Sequence, residues 1–305
     1  MTIGAVLGLD IGGSKTHAAR ADGGVVLDEA LAGSANVSSI GPAEAGRQLD
    51  VILDRLGAKG IRAVCAGAAG ADSPAGEARL RDLLAERLPC ARIRVVHDSQ
   101  LILAAAGVVD GIAVISGTGS VGWGRRGDQH TRAGGWGYLL GDEGSGYWVA
   151  REAVRRTLAR VDRGEPADHL GQQLAADCGL QVPEQLLDHF YAQPDRRYWA
   201  GRARVVFELA GSGDPQSCQI VEAAAHALAE LAIAVGSRLD SSGPVVLAGG
   251  LVVHQPALQK LVRRRLAEHH FTDVRVLAVD PVRGAVELAQ RLLLECESTD
   301  PKETP

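Results

Sequence analysis

The sequence is poor in cysteine and in aromatic residues, and both shortages exclude classes of protein. Cysteine occurs five times, at widely spaced positions and without a C-x-x-C pair. The odd number and the spacing predict reduced thiols in a cytoplasmic protein, and they argue against a zinc or iron–sulfur site built by this chain alone. Aromatic residues make up only 4% of the chain. The tryptophans at positions 123, 136 and 148 therefore stand out as a local concentration.

A surplus of positive charge and long apolar runs are also missing. The formal net charge is -5 at pH 7 and no basic block occurs, so we expect no nucleic-acid partner and no attraction to an anionic membrane surface. No apolar run reads as a membrane span, and the apolar start at residues 3–9 is too short for a secretory signal. The 305 residues, of which 46% are hydrophobic, suffice for two medium domains with buried cores.

Residues 111–150 are the most informative stretch. They open with an apolar, β-branched run at 112–115 that predicts a buried strand. The turn that follows, at 116–120, alternates glycine with hydroxyl residues. It suits phosphate oxygens, because glycine lets a ligand approach backbone N–H groups and hydroxyls add donors. A second glycine-rich run at 134–148 carries acids and two tryptophans and leads into an amphipathic helix. Together the two runs predict a site for a phosphorylated ligand beside a polar one.

Residues 117–122 also have the spacing G-x-G-x-x-G of dinucleotide-binding folds. That fingerprint requires a helix to begin inside the turn. Residues 121–128 read instead as a second strand and a hairpin turn, which disfavours a nicotinamide dinucleotide. A plain β-hairpin that uses glycine for its bends stays open as an alternative.

The predicted elements repeat once along the chain. Residues 3–106 read as three strands followed by helix, strand, helix, strand and helix, and residues 111–295 repeat this order with a helical insertion at about 146–213. Each copy begins with a strand, a turn of small residues and a strand. The first of these turns is not a Walker A loop, because Ser14 intrudes before the lysine and a strand follows. We therefore predict an α/β protein with a duplicated fold.

Four runs of residues carry a family resemblance. Asp10-Ile11-Gly12-Gly13-Ser14-Lys15-Thr16 and Ser116-Gly117-Thr118-Gly119-Ser120 resemble the two phosphate motifs of the superfamily of sugar kinases, actin and heat-shock chaperones, and Leu247-Ala248-Gly249-Gly250 resembles its adenosine motif. Gly134-Gly135-Trp136-Gly137, followed by Gly141-Asp142-Glu143-Gly144-Ser145, is similar to the N-acetylglucosamine kinases of the BadF/BadG/BcrA/BcrD ATPase family. The resemblance covers about residues 3–295.

The resemblance implies two ribonuclease H-like (actin-like ATPase) domains that flank an interdomain cleft. We expect residues 1–109 with 287–305 to form the N-terminal lobe and residues 110–286 the C-terminal lobe.

The resemblance also implies ATP as phosphoryl donor together with Mg²⁺. Asp10 matches the acid that holds Mg²⁺ through water, since this hard cation prefers oxygen ligands and keeps part of its hydration. From the residues alone, a turn-stabilising Asp10 and a solvated Lys15 stay open. The positions that match nucleotide contacts are Gly12, Gly13, Ser14, Lys15, Gly117, Thr118, Gly119, Ala210, Gly249 and Gly250.

Asp98 matches the catalytic base, which also contacts the sugar. Phosphoryl transfer needs mainly positioning, charge neutralisation and one carboxylate to take the hydroxyl proton. From the residues alone, Asp98 could equally be a helix N-cap, and Trp136 could be a core tryptophan. The other positions that match sugar contacts are Asn36, Gly135, Trp136, Asp142 and Gly146.

The sequence thus predicts a cytoplasmic, ATP- and Mg²⁺-dependent kinase that converts N-acetyl-D-glucosamine to N-acetyl-D-glucosamine 6-phosphate. Glucosamine and N-acetylmuramic acid stay open as substrates, because a few pocket residues decide among them. An ATPase that activates a partner enzyme is the alternative of another class, but such relatives use paired cysteines. We expect an amino sugar and ATP as partners, no nucleic acid and no membrane, with a homodimer as a possible assembly.

Overall fold

The chain divides into two compact units. The computed structural model describes residues 4–68 and 73–297, with side chains described up to residue 295. One unit comprises residues 1–109 with 277–305, and the other comprises residues 110–276. The expected second boundary at 286/287 is therefore too late. Val282, Ala285 and Val286 share a buried cluster with Val6 and Ala63, so the sheet of the first unit is what removes these apolar side chains from water.

The first unit contains one five-stranded sheet in the order β3-β2-β1-β4-β5. Strand β1 pairs antiparallel with β2 and parallel with β4, and β5 continues the parallel part. The elements up to residue 109 are β1 (Ala5–Ile11), β2 (Lys15–Asp22), β3 (Val25–Gly33), α1 (Val37–Ile40), α2 (Pro42–Leu56), β4 (Ile61–Ala68), α3 (Pro74–Arg87), β5 (Arg92–Val96) and α4 (Asp98–Ala105).

Successive apolar side chains along β1 point to alternate faces of this sheet, so the strand contributes to the core on both sides. Leu7 and Leu9 point to the side covered by α2, where Leu49 and Ile52 join the same buried cluster. Val6 points to the opposite side. Apolar positions three and four residues apart give α2 a single buried stripe, which is why this segment forms a helix on the sheet.

The second unit repeats the sheet of the first. Its order is β10-β9-β6-β7-β8, with β6 antiparallel to β7 and parallel to β9. Read from the other edge, this is the order and orientation of the first sheet, so the α/β duplication is confirmed. The elements are β6 (Gly111–Ser116), β7 (Ser120–Arg126), β8 (Gln129–Gly134), α5 (Gly146–Asp162), α6 (His169–Asp177), α7 (Leu186–Ala192), α8 (Arg196–Gly211), α9 (Pro215–Leu239), β9 (Val245–Ala248), α10 (Gly250–Val253), α11 (Pro256–Glu268) and β10 (Val274–Val276).

Helix α9 differs from the expectation that no segment could span a membrane. Its 25 residues are long and apolar enough to do so by length and composition. In the structure it packs on β7 and β8 and against α8 and α11. Ile220, Ala224 and Leu228 are fully buried in the core of the second unit. The apolar composition of α9 therefore follows from its place in that core.

The last helix, α12 (Val282–Glu297), closes the first unit. It lies on β1, β4 and α4. A Cβ on Gly8 would be 2.6 Å from the backbone nitrogen of Val286, and a Cβ on Gly284 would overlap the Leu101 carbonyl. Glycine at these two positions is what lets the helix approach so closely.

All strands expected from the sequence are present. The last of them, β10, is also the shortest and ends at Val276. The short helices α1 and α10 were not predicted, because four residues are too few to show a helical period.

Candidate active site

The first turn of small residues joins β1 to β2. The Gly12 N–H donates to the Lys15 carbonyl at 3.0 Å, which closes the turn. Gly13, Ser14 and Lys15 are exposed, and a Cβ on Gly13 would meet no atom within 4 Å. The turn therefore leaves room for a ligand to lie against its backbone.

Asp10, near the end of β1, lies in an acidic part of the first unit. Its pKa is raised from 3.8 to about 6, first by burial and then by the negative charge of Asp98. His17 and Lys15 oppose this shift in pKa, and Asp280, which precedes α12, adds to it. Asp280 could not be recognised as a neighbour of Asp10 from the sequence, because it is far from β1 along the chain.

His17 is the cross-strand neighbour of Asp10 and contacts Glu29, which in turn contacts Arg283. Its Nε2 lies 2.8 Å from Oε2 of Glu29 on β3. The other carboxylate oxygen of Glu29 lies 3.2 Å from a guanidinium nitrogen of Arg283. This chain of polar contacts fixes the imidazole beside Asp10. These contacts could not be predicted from the sequence, because β2, β3 and α12 meet only in the folded unit.

Asp98 is the first residue of α4 but does not cap it. The Ser99 N–H donates to Nδ1 of His97 at 3.2 Å, which makes His97 the N-cap. The interpretation of Asp98 as the cap is therefore wrong. Its carboxylate is 30% exposed, and Oδ1 lies 3.0 Å from Nδ1 of His97. The carboxylate is therefore accessible at the N-terminus of α4 and is not used to cap it.

Asn36 is buried and is the N-cap of α1. Its Oδ1 accepts a hydrogen bond from the Ser38 N–H at 3.1 Å. Its own N–H donates to Oγ of Ser34 at 3.1 Å, and that hydroxyl donates to the Gly12 carbonyl at 2.8 Å. The structure thus brings Asn36 next to the first small-residue turn.

In the second unit, the turn at 116–120 is hydrogen-bonded to the loop at 141–146. Oγ of Ser116 donates to the Gly144 carbonyl at 2.8 Å, and Oγ of Ser120 donates to the Glu143 carbonyl at 2.7 Å. A third bond of 2.8 Å runs from the Gly146 N–H to a carbonyl of the turn. The hydroxyls of the turn therefore hold the second glycine-rich loop in place.

Asp142 strengthens this connection. It is buried, and its φ of 61° is left-handed, which is uncommon for a residue with a side chain. Burial raises the pKa of its carboxyl, while the Ser120 N–H and the Gly137 N–H donate to the carboxylate and act against that rise in pKa. A Cβ on Gly119 would lie 2.8 Å from Oδ2 of Asp142. Thr118, at the tip of the same turn, is half-buried.

Two glycines that directly follow β9 lie against the turn at 116–120. Gly249 has φ +95°, and a Cβ there would lie 2.5 Å from the Ser116 carbonyl oxygen. The backbone nitrogen of Gly250 is 3.7 Å from the place of a Cβ on Gly117. Ala210 is different: it lies near the end of α8, and no hydrogen bond joins it to these glycines within the described ranges.

Trp136 is exposed at 65% of its surface. The guanidinium of Arg132 lies 5.0 Å from the centre of its ring, and Gly135 before it has φ +70°. The interpretation of Trp136 as a core tryptophan is therefore wrong. The guanidinium of Arg196 lies 5.3 Å from the centre of the Tyr138 ring, two residues after Trp136.

A series of contacting aromatic rings packs the helical insertion against the second glycine-rich loop. The ring of Tyr138 meets Tyr147 edge-on at 5.3 Å, and Tyr147 lies 6.2 Å from Phe190. Phe190 lies 4.6 Å from Trp199 on α8. The few aromatic residues of the chain are thus concentrated where α7 and α8 meet the second glycine-rich loop.

The surroundings of Asp10 decide whether a divalent cation would fit there. Among residues 4–68 and 73–297, no three His, Cys, Asp or Glu side chains are close enough to hold a metal ion by themselves. Asp10 nevertheless fits a cation, because a partly buried carboxyl beside other acids is relieved by positive charge. Mg²⁺ is usually held by one or two carboxylates, with water and phosphate oxygens as its other ligands.

The sequence matches the BadF/BadG/BcrA/BcrD ATPase family over residues 7–289. It is 31% identical, over 309 residues, to the N-acetylmuramic acid/N-acetylglucosamine kinase of Clostridium acetobutylicum, covering 96% of this chain and 99% of the relative. The chain belongs to the BadF/BadG/BcrA/BcrD ATPase family. Membership in this ATPase family means that the nucleotide used is ATP.

Two further proteins are similar to this chain. The N-acetyl-D-glucosamine kinase of Dictyostelium discoideum is 29% identical over 242 residues, covering 75% of each chain. The structure of a candidate N-acetylglucosamine kinase from Chromobacterium violaceum superposes with a TM-score of 0.67 at 26% identity, covering 95% of this chain and 99% of the other. The similarity therefore extends over both units.

Proposed function

We propose that this ATPase-family member transfers the γ-phosphoryl group of ATP to the 6-hydroxyl of an amino sugar, with N-acetyl-D-glucosamine as substrate. The observation that carries the proposal is the hydrogen bonding between the turn at 116–120 and the loop at 141–146. It joins a turn suited to phosphate to a polar loop flanked by an exposed tryptophan. Relatives named as amino-sugar kinases, which match this chain over most of its length, support the choice of acceptor.

Asp98 is the proposed general base. Its carboxylate accepts the proton of the sugar hydroxyl while the hydroxyl oxygen forms a bond to the γ-phosphorus and ADP leaves. The Asp98 carboxylate is partly exposed and does not cap α4, and both facts support this role.

The glycine turns of both units are the proposed phosphate contacts. Backbone N–H groups and hydroxyls at such turns bind phosphate oxygens, and a lysine adds a positive charge. The proposed contacts are Gly12, Gly13, Ser14 and Lys15 in the first unit, and Gly117, Thr118, Gly119, Gly249 and Gly250 in the second. Ala210 stays a proposed neighbour of the base.

Mg²⁺ is proposed as the companion of ATP, with Asp10 as its protein carboxylate. When bound, the cation neutralises charge on the phosphates. The chain itself contributes a partly buried carboxyl at the end of β1, with His17 fixed beside it.

The sugar contacts proposed on the second unit are Gly135, Trp136, Asp142 and Gly146, and Asn36 is proposed on the first. An exposed indole suits the apolar face of a pyranose, and carboxylate and amide groups suit its hydroxyls. Asp142 has two oxygens with about four acceptor directions, so backbone N–H donors do not exhaust it.

We place the protein in the cytoplasm, where ATP is available and thiols stay reduced. A homodimer remains a prediction, and sedimentation velocity checks it.

The direct test is a coupled ADP-release assay with a panel of acceptors. The panel contains N-acetylglucosamine, N-acetylmuramic acid, glucosamine, glucose and no sugar. We expect ADP release to depend on an amino sugar, and mass spectrometry to find the phosphate on the 6-oxygen. Equal ADP release with and without sugar would contradict the proposal.

A further inference from the structure

An arginine beside the proposed sugar loop has no carboxylate partner. Arg196 is the first residue of α8 and is exposed. Its guanidinium lies over the ring of Tyr138, which belongs to the loop between β8 and α5. Within residues 4–68 and 73–295, no ion pair engages this guanidinium.

Most of the other arginines of the helical insertion behave differently, although Arg156 donates to the amide oxygens of Gln216 and Gln219 and not to an acid. Six of them lie within 4.0 Å of an aspartate or glutamate oxygen, which is the ordinary arrangement for surface arginines. They are Arg151, Arg155, Arg160, Arg163, Arg202 and Arg204. Arg196 is thus left unpaired in a segment rich in acids, at the place where the segment meets the loop.

The position of Arg196 is fixed by its neighbours. Trp199, one turn further along α8, is buried and packs on Phe190. Phe190 and Tyr147 continue the ring contacts down to Tyr138. The packed core therefore holds the start of α8 beside the loop, and the Arg196 guanidinium lies over the Tyr138 ring.

The charge of Arg196 is also felt by a proposed sugar contact. Burial raises the pKa of Asp142, and the positive charge of Arg196 lowers it. The Asp142 carboxylate already accepts hydrogen bonds from the Ser120 N–H and the Gly137 N–H. Arg196 is thus close enough to act on Asp142, although no ion pair joins the two among the described residues.

We propose that Arg196 forms a subsite for a carboxylate carried by the sugar. The inference rests on the proposed function, since it assumes that the acceptor lies on this loop. A guanidinium binds a carboxylate through two parallel hydrogen bonds and repels an ammonium group. An N-acetylated sugar with an ether-linked carboxylate, as in N-acetylmuramic acid, is therefore a good acceptor, and glucosamine is a poor one.

The test compares kcat/KM for N-acetylmuramic acid, N-acetylglucosamine and glucosamine. In Arg196→Gln, the ratio of kcat/KM for N-acetylmuramic acid to that for N-acetylglucosamine is expected to fall roughly 10- to 100-fold, the usual worth of a charged hydrogen bond. Arg196→Lys keeps the charge and should retain part of the ratio. Loss of stacking on Tyr138 would affect all sugars alike, and the ratio removes that effect.

Arg197→Gln is the matched control. It removes the same charge from the adjacent, exposed residue of the same helix, and the ratio should stay at its wild-type value. An unchanged ratio in Arg196→Gln overturns the subsite. So does a wild-type protein that phosphorylates N-acetylglucosamine but not N-acetylmuramic acid.

Calorimetry separates this inference from the proposed function. If no amino sugar is phosphorylated, the proposed reaction fails, but N-acetylmuramic acid can still be titrated into wild-type and Arg196→Gln protein. Weaker binding to the variant by about tenfold or more supports the carboxylate subsite. Equal binding, or binding to neither protein, overturns it.

Discussion

The carboxylate of Asp142 occupies the space into which a side chain at position 119 would project. A Cβ on Gly119 would lie 2.8 Å from Oδ2 and 3.2 Å from Cγ of Asp142. The backbone N–H groups of Ser120 and Gly137 favour the charged carboxylate in this position, since they lower its pKa. The turn assigned to phosphate and the loop assigned to sugar are therefore interlocked through these two residues.

Gly119→Ala is expected to impair the use of both substrates together. The added methyl group displaces Asp142 and with it the turn at 116–120, so kcat/KM should fall about 10- to 100-fold for ATP and for the sugar. Steady-state kinetics with each substrate varied in turn measures this. Gly201→Ala, whose Cβ would meet no atom within 4 Å, is the control and should behave as wild type. A loss confined to one substrate would contradict the interlock.

Asp98→Asn should separate catalysis from folding. The amide keeps the size of the side chain but accepts no proton at neutral pH, so kcat should fall by about 10²–10⁴-fold, the usual worth of a positioned base. Because His97 caps α4, the melting temperature should change little. Thermal unfolding and single-turnover kinetics on the same sample check both statements.

The companion variant is His97→Ala, which removes the Nδ1 that accepts the Ser99 N–H. It should lower stability by about 0.5–2 kcal/mol, the range for a lost cap. Near-wild-type kcat in a folded Asp98→Asn protein would remove Asp98 from the mechanism.

Local pattern was enough to predict the strands and the glycine turns. The alternation in β1 and the small residues after it predict both the buried strand and the open turn, since each depends on neighbouring residues. His97 was missed as a cap because Ser, Thr, Asp and Asn are the favoured capping residues, and Asp98 stands next to it.

Long-range contacts explain the rest of what the sequence could not predict. Arg196 reaches Tyr138 only because the aromatic rings dock α8 on the loop. Arg283 reaches Glu29 only because α12 returns to the first unit. Neither pair has a fixed spacing along the chain, so no motif could reveal it.

Trp136 should report sugar binding by its fluorescence. It is 65% exposed, whereas Trp123 and Trp199 are buried at 3% and 1% exposure. A sugar that rests on the indole should shift the emission to shorter wavelength and reduce quenching by acrylamide. Trp136→Phe should abolish this response while keeping an aromatic surface. A response that persists in Trp136→Phe would assign it to another tryptophan and count against the sugar contact.

Asp10→Asn is expected to stabilise the protein while it lowers activity. The Asp10 carboxyl has a pKa of about 6 in the folded protein against 3.8 as its ordinary value, so the folded state holds the proton more tightly. Wild-type stability therefore falls as the pH rises from about 4 to about 6, and it stays lower above that window. Asparagine carries no proton to lose and avoids this cost.

The variant should consequently be more stable than wild type at pH 8, by about 1–3 kcal/mol, and equal to it below about pH 4. The upper value corresponds to the whole shift in pKa, and the partial exposure of Asp10 reduces it. Urea unfolding at both pH values measures the difference, and Asp128→Asn, at an exposed turn of the other unit, is the control for loss of charge. Mg²⁺ should raise the stability of wild type at pH 8 more than that of Asp10→Asn. If Asp10→Asn is less stable than wild type at pH 8, the charged carboxylate of Asp10 does not destabilise the folded protein. That result would contradict the argument that a cation binds beside it.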